Sequence, residues 1–234
     1  MTRAMSLMRI DEARTILGDD VLGSEEVTKV FGGGSGPELQ AEIPFTRDEL
    51  RGARRSGAML VLRVTRGTNG MPLTILEMLQ RFPQAFDPKL LRQAGYLLKE
   101  EWGIALEPLA ATDTCVPGWA LAQKEVLKES CNLSYDEQEA AIRHHGETLG
   151  VAPAALRRRT AVEAMYDILL YWQARNVRLL ERSWDWSSSA TLDRGYLNVG
   201  GFSAAGMQVL SFSRAVRHGG LGVCPTYSRS SELA

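Results

Sequence analysis

The stretch from Trp184 to Arg229, WDWSSSATLDRGYLNVGGFSAAGMQVLSFSRAVRHGGLGVCPTYSR, constrains the fold more than any other part of the chain. Glycines recur at close intervals, serines cluster, and the apolar residues have no 3.6-residue period. From Ser183 onward only short strands and turns fit. A scaffold of brief strands leaves irregular connections on its surface, and binding residues concentrate in such connections.

The chain before it reads differently. Four Ser/Thr-x-x-Glu patterns mark helix starts or repeat their signature: Thr46 with Glu49, Thr74 with Glu77, Ser134 with Glu137, and Thr160 with Glu163. In each, the hydroxyl takes an orphan backbone N–H while the carboxylate reaches back. The first helix should end near Gly57, the third near His145 with Gly146 stopping it. After Thr160, residues Val162, Met165, Tyr166, Leu169, Leu170 and Trp172 form an apolar stripe at helical spacing. Ile10 to Leu17 reads as a short helix, and Ser24 is the expected N-cap of another over Glu25 to Phe31. GGGSGP at Gly32 to Pro37 is a loop. Asp87-Pro88 offers an N-cap followed by proline at the first helical position. Ala58 to Arg66 and Gly118 to Leu127 read as strands, the second with Trp119, Leu121 and Val126 as its apolar side.

From Gly118 the order is strand, helix, helix, then several short strands, an α+β pattern of two helices beside small antiparallel sheets. Residues 1–112 read as a mixed α/β accessory region and residues 113–234 as a ligand-binding domain.

A formal net charge of −1 gives no general attraction to DNA or acidic membrane. The 22 Arg against 5 Lys match a bias in genomic base composition. Cys115, Cys131 and Cys224 are odd in number and lack CxxC spacing, so reduced thiols in an intracellular protein are expected. The N-terminus has no apolar run of a signal peptide, and no window reaches the length of a membrane span. The expectation is a cytoplasmic or virion-associated protein with no membrane insertion.

The pieces RLLERSWDWSSS (Arg178 to Ser189), the frame of Val199, Gly200, Phe202, Gly206 and Val209, and the closing Leu221 to Val223 with Ser228 and Arg229 resemble the variable proteins of diversity-generating retroelements, which have a C-type lectin-like fold. EIPFTRDEL, LVLRV and PGWALAQKE look like the N-terminal part of the same kind of protein. The resemblance implies that about residues 183–229 are rewritten by copying a template with errors at adenines. Such copying turns AAC into NNC codons and excludes Lys, Gln, Glu, Met and Trp. From Ser203 to Val223 only Met207 and Gln208 belong to that set; Gln208 stands where the family often varies and departs from its pattern.

The resemblance further implies an inward framework of Val199, Phe202, Val209, Leu221 and Val223, each contributing roughly 1.5–3 kcal/mol when buried. The outward binding face would be Trp184, Leu197, Gly201, Ser203, Ala204, Ala205, Gln208, Leu210, Ser211, Phe212, Ser213, Arg214, Ala215, Arg217, His218 and Gly219. Phe212 between serines, near Arg214, Arg217 and His218, is its expected centre. Its partner would be a protein or other macromolecule. Trp184 and Trp186 alternate on one strand and face the same side, either toward a ligand or into the core against the Val162–Trp172 helix.

Other readings are weaker. Adjacent His144 and His145 point about 100° apart on a helix and suit a solvated C-terminus better than a metal. Arg157 to Arg159 reads as a solvated helix entry. Asp185, Asp193 and Asn198 are too spread for lectin-type calcium, and neither metal nor cofactor is expected. No serine triad, carboxylate pair or phosphate loop appears, so the chain reads as non-enzymatic. A nucleic-acid-binding regulator is one rival, prompted by Ile10 to Phe31 and the arginine excess and opposed by Asp11, Glu12, Asp19, Asp20, Glu25 and Glu26. An enzyme on the same fold is another.

Overall fold

The computed structural model describes residues 8–32, 37–86, 103–149, 151 and 155–229. Most of the GGGSGP segment and Asp87-Pro88 lie outside these. Seven α-helices and two small sheets form a mixed α+β fold among the described residues.

The N-terminal half supplies α1 (Ile10–Leu17), β1 (Val21–Leu22), α2 (Ser24–Phe31), α3 (Arg47–Ser56), β2 (Ala58–Arg63), α4 (Ile75–Arg81) and α5 (Pro108–Thr112). Both arms of the Thr46–Glu49 capping box form, and α3 closes at Gly57 as its sequence requires. Thr74 caps α4 by accepting the Glu77 N–H. At α2 the expectation shifts by one residue. Ser24 already lies in the helix and Gly23 is the N-cap, because the Glu26 carboxylate takes the Gly23 N–H at 2.9 Å and needs no serine hydroxyl.

β3 (Gly118–Gln123) pairs antiparallel with β2 over six residues, Ala58↔Gln123 through Arg63↔Gly118. β9 (Pro225–Ser228) pairs with the other edge of β3, and β4 (Leu156–Arg158) with β9, giving the order β1-β2-β3-β9-β4. The 112/113 division therefore falls between hydrogen-bonded strands, and one apolar core runs across it.

α6 (Gln138–Leu149) starts and ends later than expected. Glu137 does accept from the Ser134 N–H and hydroxyl, but the residues between form a turn, and the helix passes through a buried Gly146 to Leu149. A mid-helix glycine costs only about 1 kcal/mol, less than the packing of that face returns. α6 therefore does not end at His144 and His145. His145 is buried, its Nε2 2.8 Å from Gln123 Nε2 on β3.

α7 (Ala161–Arg175) has a full Thr160–Glu163 capping box and a left-handed Asn176 after its last turn. Its sequence shows one stripe, yet every residue from Ala161 to Tyr171 is buried. The reason is position: α7 is packed by β1 and β2 on one side and by the second sheet on the other. That sheet, β7-β6-β5-β8, is built from β5 (Trp184–Ala190), β6 (Tyr196–Ser203), β7 (Gly206–Phe212) and β8 (Leu221–Gly222).

The Arg157–Arg159 run is not a solvated helix entry. Its first two residues belong to β4, and Arg158 and Arg159 are buried. Arg157 holds Glu163 through two hydrogen bonds, at 2.7 and 2.6 Å. Arg159 bridges Asp167 at 2.9 Å and Asp185 at 2.8 Å, while Arg63 reaches Asp167 at 2.6 and 3.0 Å and Glu163 at 3.1 Å. Three guanidinium groups thus face three carboxylates, which makes the burial of so much charge tolerable. Asp185 also accepts the Cys224 N–H at 2.7 Å, so β5 is tied to α7 and to the strand entering β9.

Candidate functional site

The second sheet has two unlike faces. Asp185, Ser187, Leu197, Val199, Phe202, Met207 and Val209 look toward α7 and are buried. Cross-strand register places Trp184 beside Gly200, Trp186 beside Asn198, and then Gln208, Leu210 and Phe212 beside Gly200, Asn198 and Tyr196. Pleating puts all of these on the opposite, outer face. The expected framework residues Val199, Phe202, Val209, Leu221 and Val223 are all buried.

Residues 213–220 leave β7 at its Phe212 end and enter β8 beside Trp184, so they cross the outer face. Val216 of this segment packs with Phe212, Tyr196 and Trp184 on a small cluster of Tyr135, Trp186 and Leu221. The crossing is anchored from outside by the residues before α6. Tyr135 N–H donates to Arg214 O at 3.0 Å and Asn132 N–H to His218 O at 3.1 Å. Arg214 pairs with Asp136, and Arg217 with Glu137 at 2.6 Å. The Arg217 hydrogen bond and those from Ser134 hold the Glu137 carboxyl at about 2. Both exposed arginines are therefore neutralised locally, and the face carries little unbalanced charge.

Tyr135 is the pivot. Its ring stacks on Tyr196 with centroids 4.1 Å apart and meets Trp186 edge-on at 5.3 Å. The Arg158 guanidinium lies 3.9 Å from its centroid. Burial pushes the Tyr135 phenol up to about 12, so it stays protonated. Arg158 also donates to Tyr135 O at 2.6 Å, Gln138 Oε1 at 2.9 Å, Trp186 O at 3.1 Å and Glu139 at 2.7 Å. One buried side chain thus fixes the outer segment, the start of α6 and β5 relative to each other.

The structure divides the expected binding residues. Trp184, Gln208, Leu210, Phe212, Ser213, Arg214, Ala215, Arg217, His218 and Gly219 come together on the outer face and its crossing segment, each half-buried or exposed. Trp184 donates to Gln208 at 3.1 Å and meets the His218 ring edge-on at 5.7 Å. Ser203, Ala204 and Ala205 lie apart, at the β6–β7 turn. Ser211 faces the other side, 3.0 Å from Thr191.

Leu197 does not point outward, and Gly201 looks toward the outer face but is covered there by Trp184 and Gln208. Leu197 is fully buried toward α7, because strand alternation puts it in phase with Val199. Gly201 is buried, with φ 55 in the left-handed region, and a side chain there would meet Gln208 Oε1 and Trp184 Nε1 at 2.8 Å. Trp184 and Trp186 do share a side, but it is the outer one; Trp186 is buried against Tyr135 rather than against α7. Phe212 is half-buried on the same cluster rather than freely exposed.

Tyr135, Asp136 and Asn198 belong to this face without having been singled out for it. Asp136 and Tyr135 sit inside a helix-start signature that masks any other role. Asn198 carries no local signal, since only cross-strand register puts it beside Trp186.

Among the described residues no group of three His, Cys, Asp or Glu is placed to hold a metal ion, and no helix is long and apolar enough to cross a membrane. Burial pushes the Cys115 and Cys224 thiols well above their ordinary value, which disfavours the nucleophilic thiolate. No protein-family model matches the chain, and no curated protein or solved structure matches it.

Proposed function

We propose that this chain is a non-enzymatic binding protein whose C-terminal half has a C-type lectin-like fold and whose surface over about residues 183–229 is diversified by a retroelement to engage protein ligands. One observation carries the reading. The segment expected to vary most, Leu210 to Gly219, forms the edge of one sheet face and the loop crossing it, while of its fixed neighbours Val199, Phe202, Val209 and Val223 lie in the main core and Leu221 is buried beside Trp186 beneath the loop. Replacement of the outer set leaves the buried set intact, which is what a surface open to many sequences requires.

The antiparallel β3–β9 pair, which joins the two ends of the C-terminal half, and the two helices α6 and α7 support the fold reading. Aromatic and arginine residues at Trp184, Phe212, Arg214 and Arg217 are the types that dominate binding energy in protein interfaces.

The test is a displayed library of the full chain randomised at Leu210, Ser213, Arg214, Ala215, Arg217, His218 and Gly219. Selection against a panel of unrelated folded proteins should return specific binders that unfold as cooperatively as the parent. Recovery of no binders, or only of aggregating variants, overturns the reading. The retroelement half has its own check: a near-repeat of the last codons beside a reverse-transcriptase gene, differing only at adenines.

A further inference from the structure

Three polar atoms lie side by side beneath the 213–220 crossing with no hydrogen-bond partner among the described residues: Trp186 Nε1, Asn198 Nδ2 and Asn198 Oδ1. Asn198 stands directly opposite Trp186 on the neighbouring strand and directly opposite Leu210 on the other, so its side chain occupies the middle of the outer face. Both residues are fully buried. Their aromatic surroundings, Tyr135, Tyr196 and Phe212, offer no amide or carboxylate, and the polar atoms of Arg158 are taken up elsewhere. Native interiors rarely leave such groups unpaired, so this set of donors and acceptor calls for a partner.

We propose that Trp186 and Asn198 form an amide-binding subsite, which takes the side-chain carboxamide of an Asn or Gln of a protein ligand when the Val216 segment lifts from the outer face. This deepens the proposed binding function and rests on it. The chemistry selects the ligand group. The orphans are two donors, the indole N–H and the Asn198 NH2, and one acceptor, Asn198 Oδ1. The carbonyl of a primary carboxamide accepts from both donors with its two lone pairs, and its syn N–H donates to Oδ1; a trans peptide, whose C=O and N–H point apart, cannot make both contacts. A carboxylate has no donor for Oδ1 and would bring a buried charge to a face whose arginines are already paired. An apolar group would leave all three unpaired.

The cover can yield. Backbone hydrogen bonds from Tyr135 and Asn132 pin it at Arg214 and His218, while its side-chain pairs Arg214–Asp136 and Arg217–Glu137 lie in solvent where ion pairs contribute little, so the stretch that lifts is the one around Val216 between those two points. Val216 is the one aliphatic side chain of the 213–220 segment seated on the cluster, and a smaller residue there would lighten the lid.

The experiment uses the full-length 15N-labelled protein and acetamide as the probe, with sodium acetate at equal concentration as the comparison. Acetamide should shift the Trp186 indole and Asn198 amide cross-peaks saturably, and acetate should not. Val216→Ala should tighten the acetamide dissociation constant several-fold, and Asn198→Leu should weaken it at least tenfold. If Asn198→Leu fails to fold, Trp186→Phe serves the same purpose by removing one donor. Unmoved peaks, equal shifts with acetate, or long-lived water contacts at the indole N–H that acetamide does not displace would overturn the subsite. Should the randomised library still yield binders in that case, the binding face stands and only the amide subsite falls. Acetamide binding without any selected binder leaves the subsite and removes the wider face.

Discussion

Arg158 and Arg159 are consecutive residues whose guanidinium groups serve opposite sides of the fold. Arg159 lies in the α7 core between Asp167 and Asp185, whereas Arg158 lies against the Tyr135 ring, 3.9 Å from its centroid. Alternation along an extended backbone produces this division. One basic run thereby ties the core network to the outer face.

Arg158→Ala should be strongly destabilising. It leaves the carbonyls of Tyr135 and Trp186 and the Gln138 amide without their buried donor. A loss of about 3 kcal/mol is expected from unpaired buried groups. Urea unfolding measures it, and Arg158→Lys should recover only part, since an ammonium cannot reproduce the fork.

Asp167 receives Arg63 and Arg159 together, so Asp167→Asn removes the shared charge while keeping the shape. Breaking a buried pair from one side costs about 3–5 kcal/mol. Asp48→Asn, on an exposed pair with Arg51, should leave the unfolding midpoint unchanged in the same assay.

Two groups shape the pH dependence. Burial opposes ionisation of Glu163, but Arg63 and the Arg157 hydrogen bonds overcome it and hold the carboxyl at about 2, below its ordinary 4.5. Its stabilisation is full above pH 4.5 and is lost as pH falls toward 2, on the order of 3 kcal/mol in all. Glu163→Gln should flatten that acid limb. Burial lowers the His145 imidazole below 6.5, so the unfolded chain takes up its proton first. Stability should therefore begin to fall as pH drops through 6.5, and His145→Gln should remove that earlier step. Unfolding curves from pH 2.5 to 8 separate the two.

The outer face should split by substitution. Arg214→Ala, Arg217→Ala and His218→Ala combined should leave the thermal midpoint unchanged, because all three side chains are exposed. Phe212→Ala alone should lower stability by about 1–2 kcal/mol, less than a fully buried phenylalanine costs. Equal effects from both variants would contradict the placement of Phe212 on the Trp186 cluster.

Gly200→Ala should prevent stable folding of the second sheet, since its Cβ would lie 2.2 Å from the Ser183 carbonyl oxygen on the backbone of the chain entering β5. Ala204→Ser at the exposed β6–β7 turn should be silent in the same thermal scan.

The local chemistry of the sequence determined a good deal. Thr46, Thr74 and Thr160 begin helices because a hydroxyl three residues before a glutamate N–H satisfies an orphan donor wherever the helix then lies. The short strands from Trp184 onward follow from glycine spacing and turn residues; Val199 and Val209 are paired in register, but Phe202 joins them on the inner face only because a bulge between Gly200 and Ser203 breaks the alternation. Tertiary structure decided what surrounds each element. Arg157 to Arg159 looks solvated until Glu163, Asp167 and Asp185 arrive from α7 and β5 to neutralise it. The stripe on α7 looks one-sided until sheets cover the helix from two directions. Leu197 and Trp186 owe their burial to register and to Tyr135, which lies more than fifty residues upstream of both. Capping and strand alternation act within a few residues of chain. Burial and charge compensation depend on neighbours distant in sequence, and those neighbours turned a glycine-rich tail into a sheet with one face in the core and the other beneath a crossing loop.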